Sequence, residues 1–417
     1  MSEVNPVKRT AAFVFILVTV VLDMLALGVM IPVLPKLITQ FEGGDIARAA
    51  SIAGLFSFAW ALMQFLFQPV LGSLSDRFGR RPVVLASNLG LGLDYIFMAL
   101  APSLPILLIG RLLSGATAAS QSTAGAYIAD ITPPEKRAGR FGMIGAAFGF
   151  GFILGPAVGG WLGNYDLRLP FWVAAALSLA NAAYGYFILP ESLPQDKRTP
   201  KIAWRSANVF GALKLLGSER ELSLIAAAAF LCYLAHESLP SLFVLYADYR
   251  YHWDAQKTGW ALAFVGVSQT IVSGGLVRPA VARLGERKTL AMALPIGAAG
   301  FLLYALAFDD ALFFLGTPLI AILGMANPSL QGLATRLRGA SEQGRLQGAL
   351  SSLRGVSGMI GPLLFTQIFS LSVGAGVFPG GAYLLSAALI GAGLVAALAA
   401  QGRSRAPSPL AGEGGEP

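Results

Sequence analysis

Two landmarks recur in this sequence at one spacing. Residues 72–81 read GSLSDRFGRR between two long apolar runs, and a weaker copy at residues 283–287 follows 206 positions after its counterpart. Gly155 and Pro156 end a glycine-rich apolar stretch, and Gly361 and Pro362 do the same 206 positions later. Because two independent landmarks share one offset, we predict that the chain consists of two homologous halves.

The apolar runs around these landmarks are long enough to cross a lipid bilayer, which takes about 20 apolar residues. Hydrophobic residues make up 55% of the 417 positions and charged residues 12%, and the mean hydropathy is +0.66. A soluble domain carries about 25% charged residues. An internal repeat of membrane-spanning runs is typical of secondary transporters.

By length and apolar content we count about twelve spans, six in each half. The spans are predicted at residues 12–39, 49–74, 82–101, 104–128, 138–164 and 169–189, and at 222–247, 257–282, 288–308, 311–334, 343–371 and 376–401. The predicted fold is an all-α membrane protein. Its predicted parts are an N-terminal half (1–190), a cytoplasmic linker (191–221), a C-terminal half (222–402) and a disordered cytoplasmic tail (403–417).

Charge and cysteine content narrow the possible partners. A net charge of +8 would suggest nucleic acid in a soluble protein, but here the basic residues lie between apolar runs, so we expect a lipid bilayer and no nucleic acid. Lysine and arginine concentrate on the side that holds both termini and the linker, which places that side in the cytoplasm. The single cysteine, Cys232, excludes an intrachain disulfide and a cysteine metal cluster. The first apolar run exceeds the core of a secretory signal, so we expect it to remain as the first span.

Segment 72–81 places a carboxylate among several bases at a helix end. Asp76 can pair with Arg77, with Arg80 or with the positive end of another helix, and such a pair can latch one conformation and break in the other. A solvated turn with stop-transfer bases is the alternative. The spacing resembles the loop between the second and third helices of the major facilitator superfamily, through Gly72, Asp76, Arg77, Gly79, Arg80 and Arg81. In the second copy Ala282 replaces the acid, which predicts a weak or absent second latch.

Small residues dominate the predicted fifth span, which contains Gly151, Gly155, Pro156, Gly159 and Gly160. Such spacing lets helices approach closely, and the proline permits a bend. The pattern resembles the fifth-helix motif of proton-coupled antiporters of the same superfamily and favours export, with ordinary small-residue packing as the alternative. The second copy keeps Gly361 and Pro362.

The resemblance covers nearly all of residues 10–400 and is densest in the first half. The segments that resemble tetracycline/proton antiporters are 29–35 (VMIPVLP), 61–64 (ALMQ, ending on Gln64), 93–95 (LDY), 125–132 (GAYIADIT), 347–350 (QGAL) and 361–366 (GPLLFT). The resemblance implies a monomer in the bacterial inner membrane that exports a small amphipathic compound in exchange for protons by alternating access. Tetracycline is a candidate substrate. No cofactor is expected, except a divalent metal carried with the substrate.

Ionisable side chains inside the predicted spans are the candidates for proton coupling and substrate binding, because each costs about 2.5–3.5 kcal/mol at a helix centre. These candidates are Asp23, Asp94, Arg111, His236, Glu237 and Arg354. A carboxyl group in a low-dielectric cavity can carry a proton, which suits Asp23 and Asp94. The alternatives are a structural pair with Arg111 or a satisfied polar network, and for His236 a satisfied residue near the outer interface rather than a pH-sensitive partner of Glu237.

The second half departs from the tetracycline antiporters. Gly297 occupies the position of an acidic residue that is essential for proton exchange in that family, and Gln269 replaces a histidine of the eighth helix. Arg354 stands where the family usually has a small hydroxyl residue. Our hypothesis is that Glu237 supplies a second-half carboxylate and Arg354 a compensating charge.

Two rival functions remain open from the sequence. A proton-coupled uptake permease for a small nutrient is the rival among transporters, and a non-transporting membrane sensor is the rival from another class. The sequence has no Gly-x-x-x-x-Gly-Lys-[Ser/Thr] loop, which disfavours ATP-driven pumping. His236 and His252 are the only histidines, and no metal or catalytic-triad spacing surrounds them, so we expect no enzyme and no resident metal.

Overall fold

A computed structural model describes residues 6–118, 120–199, 215–217, 219–338 and 342–401. The predicted disordered tail and the middle of the predicted linker lie outside these residues. The described chain is all-α, without β-strands in these ranges. We call the face that carries the linker the inner face and the opposite one the outer face.

Six spans form the first half. Span α1 comprises Pro6–Met30 and Leu34–Phe41, α2 is Ile46–Phe78, α3 is Arg80–Leu100, α4 comprises Leu104–Thr117 and Ser120–Ile131, α5 is Pro134–Gly163 and α6 is Leu169–Ile188.

Six spans form the second half. Span α7 comprises Arg220–His236 and Ser238–Tyr251, and α8 begins with Ala255–Ile271 and the π-helical turn Val272–Leu276. The next helix, Val277–Leu306, is kinked at Gly285, which ends α8 and begins α9. Span α10 comprises Asp310–Ile322, Leu323–Met325 and Ala326–Arg336, α11 is Gln343–Gly374 and α12 is Gly381–Gln401.

The predicted number of twelve spans agrees with these helices. Ten described helical stretches are long and apolar enough to cross a membrane. One of them, Ala255–Leu306, is 52 residues long and folds back at Gly285, so it supplies two spans. The twelfth is α4, whose two pieces are each too short to cross alone.

The 206-residue offset of the sequence repeat is visible in the backbone. Gly79 and Gly285, one offset apart, have φ values of 107° and 76°, a region that L side chains rarely adopt. Four spans are interrupted, and their interruptions are also 206 residues apart. The turn in α1 that begins at Ile31 corresponds to the break in α7 at Glu237, and the break in α4 at Ala118 corresponds to the short turn in α10 around Gly324. The two halves therefore share their turns and their helix breaks.

Prolines explain three of these four breaks. A proline lacks the N–H that would bond to the carbonyl four residues earlier. Pro35 follows the break in α1, Pro240 the break in α7 and Pro328 the break in α10. At the fourth break, in α4, the Ser87 hydroxyl donates to the carbonyl of Thr117, a carbonyl that the irregular backbone frees from helical bonding.

The two halves pack on each other along two interfaces, α2 with α11 and α5 with α8. The closest contacts lie toward the outer face. There α5 packs so tightly on α8 that a Cβ at Gly160 would lie 2.8 Å from the Cα of Gly259. On α2 the contact extends inward to Phe65, which packs on Gly355 of α11. Inward of it the four spans lack such close contacts, because a Cβ at Gly72 of α2, Gly145 of α5, Gly274 of α8 or Gly348 of α11 would meet no atom within 4 Å. The halves thus touch at the outer face and part at the inner face.

Candidate functional site

Spans α1 and α6 enclose a buried carboxylate, Asp23. The amide nitrogen of Asn181 donates to Oδ1 of Asp23 at 3.2 Å, and the Thr19 hydroxyl donates to the amide oxygen of Asn181 at 3.1 Å. All three side chains are buried. Asn181 therefore orients the Asp23 carboxylate, and this hydrogen bond is compatible with a proton-carrying role as well as with a purely structural one.

Asn181 was not among the predicted site residues. The signal that could have found it is an amide in an otherwise apolar span, since a buried amide is costly unless it is hydrogen-bonded. The sequence does not reveal its partner, because Asp23 lies 158 positions away.

Spans α3 and α4 place Asp94 beside Arg111. Only 3% of Asp94 and 6% of Arg111 are exposed. Arg111 is the charge that acts on Asp94, with Ser114 also nearby, yet neither carboxylate oxygen has a hydrogen-bond partner within the described residues. Gly110 makes room for the acid, since a Cβ there would lie 3.0 Å from Oδ1 of Asp94. Asp94 is therefore held by packing and by the charge of Arg111, with the Ser114 side chain as its neighbouring donor.

Arg111 connects three spans of the first half. Its Nη1 donates to the sulfur of Met30 at 3.8 Å, at the end of the inner piece of α1. Its Cζ lies 5.3 Å from the ring centroid of Trp60 on α2. Arg111 itself belongs to α4. A change in the charge near Arg111 therefore also affects its contacts with α1 and α2.

In the second half, α7 breaks at Glu237. The landmark glycine of α11 makes room for this side chain, because a Cβ at Gly361 would lie 2.8 Å from Cγ of Glu237, and one at Gly358 would lie 3.9 Å from Oε1. The neighbouring His236 is exposed. Among the described residues we find no hydrogen bond between His236 and Glu237.

A polar cluster, formed by Tyr233, Asn327, Gln331 and Arg354, lies next to Glu237. The Tyr233 hydroxyl donates to Oδ1 of Asn327 at 2.8 Å, and Gln331 donates to the same oxygen at 3.2 Å. Arg354 is exposed, and its Cζ lies 6.0 Å from the Tyr233 ring centroid. Its charge acts on both Glu237 and His236. Spans α7, α10 and α11 therefore meet at one polar site.

The two glutamine candidates lie elsewhere. Gln64 is half-buried on α2, one turn after Trp60. Gln269 donates to the Ser273 hydroxyl at 3.1 Å inside α8 and lies against Gly324, at the break of α10. Gln269 is thus placed beside the π-helical turn of α8, a feature that is frequent at functional sites.

At the inner face Asp76 pairs with Arg80. The Arg80 Nη1 is 2.5 Å from Oδ1 of Asp76, and its Nε is 3.1 Å from Oδ2 of Asp130 on α4. Arg77 lies instead over the ring of Phe78, 5.2 Å from its centroid. The three charged groups Asp76, Arg80 and Asp130, which we call the inner network, connect α2, α3 and α4.

The start of the linker docks on the inner network. Glu191 accepts from the backbone amides of Arg80 at 2.8 Å and of Arg81 at 3.3 Å, at the positive end of α3. The amide of Thr199 donates to the carbonyl of Asp76 at 3.1 Å. Gly79 is required here by its φ of 107°, and a Cβ would also displace the Glu191 carboxylate. At Gly72 a Cβ would meet no atom within 4 Å, so packing does not explain that glycine.

The glycines of α5 face two neighbours. Toward α1, Gly151 and Gly159 pack on the backbone or Cβ of residues in α1, and a Cβ at Gly155 would lie 2.7 Å from the Cα of Gly28. Toward α8, Gly160 packs on Gly259, and Pro156 lies inside the otherwise continuous helix. Small residues thus hold α5 against both α1 and the other half.

A polar contact closes the outer face between the halves. Nζ of Lys36 lies 3.0 Å from Oδ1 of Asp248 and donates to the carbonyl of Trp253 at 2.6 Å. Nearby, Gln367 donates to the Ser51 hydroxyl at 2.7 Å. We call the contact of Lys36 with Asp248 and Trp253 the outer lock.

Comparison with known proteins identifies the family. Residues 16–362 match the model of the Major Facilitator Superfamily. The chain belongs to the major facilitator superfamily. It is a multi-pass membrane transport protein and not an enzyme, and the broken spans and two six-helix halves are those of a major facilitator fold.

Relatives of this superfamily member include tetracycline resistance proteins. The class C protein of Escherichia coli is 37% identical over 92% of this chain and 95% of its own length, and the class G protein of Vibrio anguillarum is 37% identical over 88% and 92%. Among solved structures, the human organic anion transporter MFSD10 aligns with a TM-score of 0.69 over 95% of this chain and 100% of its own, at 23% identity. At that identity the structural match supports the fold alone.

Proposed function

We propose that this major facilitator protein exports a small amphipathic compound, with tetracycline as the leading candidate, in exchange for protons. The observation that carries the proposal is the pair of buried first-half carboxylates, Asp23 and Asp94, in a fold that is closed outside and open inside. Acidic residues inside membrane spans mark the proton relays of pumps and transporters. The tetracycline resistance relatives support the choice of substrate class.

Alternating access gives each structural element a role. The outer lock closes the outer face in the present conformation, and a substrate would enter from the inner face. Rocking of the halves would break the contact between Lys36 and Asp248 and bring the inner ends together. The inner network would then respond, because it joins three spans that move together.

The charge distribution and the family membership support a location, an orientation and an oligomeric state. We place the protein in the bacterial inner membrane with both termini in the cytoplasm, since the basic residues concentrate on the linker side. We propose that it works as a monomer without a resident cofactor. A divalent metal would enter only as part of the substrate.

Inside-out vesicles that contain the protein test this proposal. The vesicles are energised, magnesium and tetracycline are added, and internal pH is followed. We expect a proton leak that requires the drug and is lost in Asp23→Asn and in Asp94→Asn. A control variant, Arg48→Gln, changes an exposed outer arginine that pairs with Asp45 and should leave the leak unchanged.

Other outcomes separate the rival functions. A leak with another amphipathic compound but not with tetracycline would indicate a changed specificity. Proton-coupled uptake of a nutrient in right-side-out vesicles would show that the protein is an importer and not an exporter. Absence of any flux across a broad panel, with folded protein in the membrane, would favour a sensor.

A further inference from the structure

We propose that the polar cluster of the second half is an anion-binding subsite, centred on Arg354, which selects substrates with a carboxylate or enolate attached to a flat apolar body. This inference rests on the proposed export function and adds a substrate class to it. It gives the cluster a role in recognition that is separate from proton coupling in the first half.

Arg354 has unused hydrogen-bond donors. A guanidinium has five donors and no acceptor, and it matches the planar geometry of a carboxylate. Within the described residues Arg354 forms no hydrogen bond and no ion pair within 4.0 Å, although its charge acts on Glu237. An arginine inside a span is costly, and it usually pairs or marks a substrate pathway. Here the partner is left for a ligand.

Arg354 lies on the side of α11 that faces α7, with its guanidinium beside the Tyr233 ring. The next residue, Gly355, is where Phe65 of the other half packs on α11. The exposed guanidinium is therefore at the depth of the innermost α2–α11 contact, and the two halves part inward of it. A compound that enters from the inner face can reach it without any opening of the outer lock.

The surroundings of the guanidinium combine an aromatic ring with hydrogen-bond donors. Tyr233 offers a ring face beside it. Tyr233 is held by its hydrogen bond to Asn327, whose oxygen already accepts from Gln331, so the amide nitrogen of Asn327 remains to donate. The site therefore presents donors to an anionic group and aromatic surface to a flat body.

A matched pair of dyes tests the subsite. Rhodamine B carries a free carboxylate, and its ethyl ester has the same ring system without that anion. Binding of each dye to the purified full-length protein in lipid nanodiscs is measured by fluorescence anisotropy. We expect the acid to bind about ten- to a hundredfold more tightly than the ester, since a charge-assisted hydrogen bond has that effect on affinity.

Variants localise the preference. Arg354→Gln should abolish the preference for the acid and leave binding of the ester unchanged, which also shows that the variant is folded. Arg354→Lys should keep part of the preference, because it retains the charge but loses the planar fork. Arg48→Gln, which removes an equal charge at the outer face, should retain the full preference.

The results separate this inference from the export proposal. Equal binding of the two dyes, binding of neither, or an acid preference that survives in Arg354→Gln overturns the subsite, even if tetracycline/proton exchange is intact. A preference that depends on Arg354 supports the subsite, and it does so even if the vesicle assay shows no proton exchange.

Discussion

At the scale of single residues, the two buried carboxylates of the first half differ in how they are held. Asp23 accepts a hydrogen bond from Asn181, whereas Asp94 has Arg111 nearby but no hydrogen-bond partner in the described residues. Two acids in different environments are suited to different roles in one cycle. We expect Asp23 to depend on its positioning residue and Asp94 to depend on the charge of Arg111.

The role of Asn181 is testable by its removal. Asn181→Ala should lower the drug-dependent proton flux in inside-out vesicles about tenfold or more, because a hydrogen bond to a charged group contributes about 1.5–3 kcal/mol. Ser178→Ala is the matched control, since Ser178 is buried on the same span and its hydroxyl has no partner in the described residues. Wild-type flux in Asn181→Ala would contradict the positioning role.

The inner network makes a second prediction at this scale. Because Asp76 pairs with Arg80 and not with Arg77, Arg80→Gln should impair transport as strongly as Asp76→Asn, and Arg77→Gln should be much milder. Transport is measured as drug accumulation in inside-out vesicles. The double variant of Asp76 and Arg80 should be no worse than either single variant, as expected for residues that act as a pair. A severe Arg77→Gln with a mild Arg80→Gln would reverse the assignment.

At the scale of elements, the sequence predicted the spans better than their interruptions. Apolar length was sufficient for the count of twelve, because a bilayer demands it. The breaks in α1, α7 and α10 lie just before prolines that are visible in the sequence, and the 206-residue offset relates the break in α1 to the break in α7. No proline lies at the break in α4. The Thr117 carbonyl at this break accepts a hydrogen bond from Ser87 of another span, so the local sequence does not reveal the break.

Packing predicts opposite effects of alanine at two glycines, Gly160 in the contact between α5 and α8 and Gly391 in α12. Gly160→Ala should lower the thermal unfolding midpoint, because its Cβ would overlap the backbone of α8 at a cost of about 1–3 kcal/mol. Gly391→Ala should leave the midpoint unchanged or raise it, because a Cβ there meets no atom within 4 Å and alanine favours a helix. Both are measured on purified protein in detergent. Equal midpoints for the two variants would show that the helices separate at little cost.

At the scale of the whole molecule, the conformation is what the sequence could not predict. The outer lock joins Lys36 to Asp248, two residues in different halves, and neither stands out in the sequence. Hydrophobic pattern fixes which segments cross the membrane but not which face is open, because both conformations use the same spans. The partner of Asp23 was missed for a similar reason, since it depends on how α6 packs on α1.

The outer lock predicts a change in access from outside. In a Cys232→Ser background, Ser51→Cys lies at the outer end of the interface between the halves. An impermeant maleimide should label this cysteine several times faster when Lys36→Ala is added, because the halves then separate more often. Exchanging the two charges, as Lys36→Asp with Asp248→Lys, should slow the labelling again in part, because it restores the ion pair but not the hydrogen bond to the Trp253 carbonyl. Labelling that does not respond to Lys36→Ala would show that the lock does not hold the outer face closed.

Proton movement and drug movement are proposed to be coupled through Asp23 and Asp94. The decisive measurement is tetracycline transport in proteoliposomes of the purified protein, with and without an imposed pH gradient. We expect wild type to concentrate the drug only when the gradient is present. Asp23→Asn and Asp94→Asn should still exchange labelled for unlabelled drug but should no longer concentrate it. If both variants concentrate the drug at the wild-type level, the two carboxylates do not couple proton and drug movement.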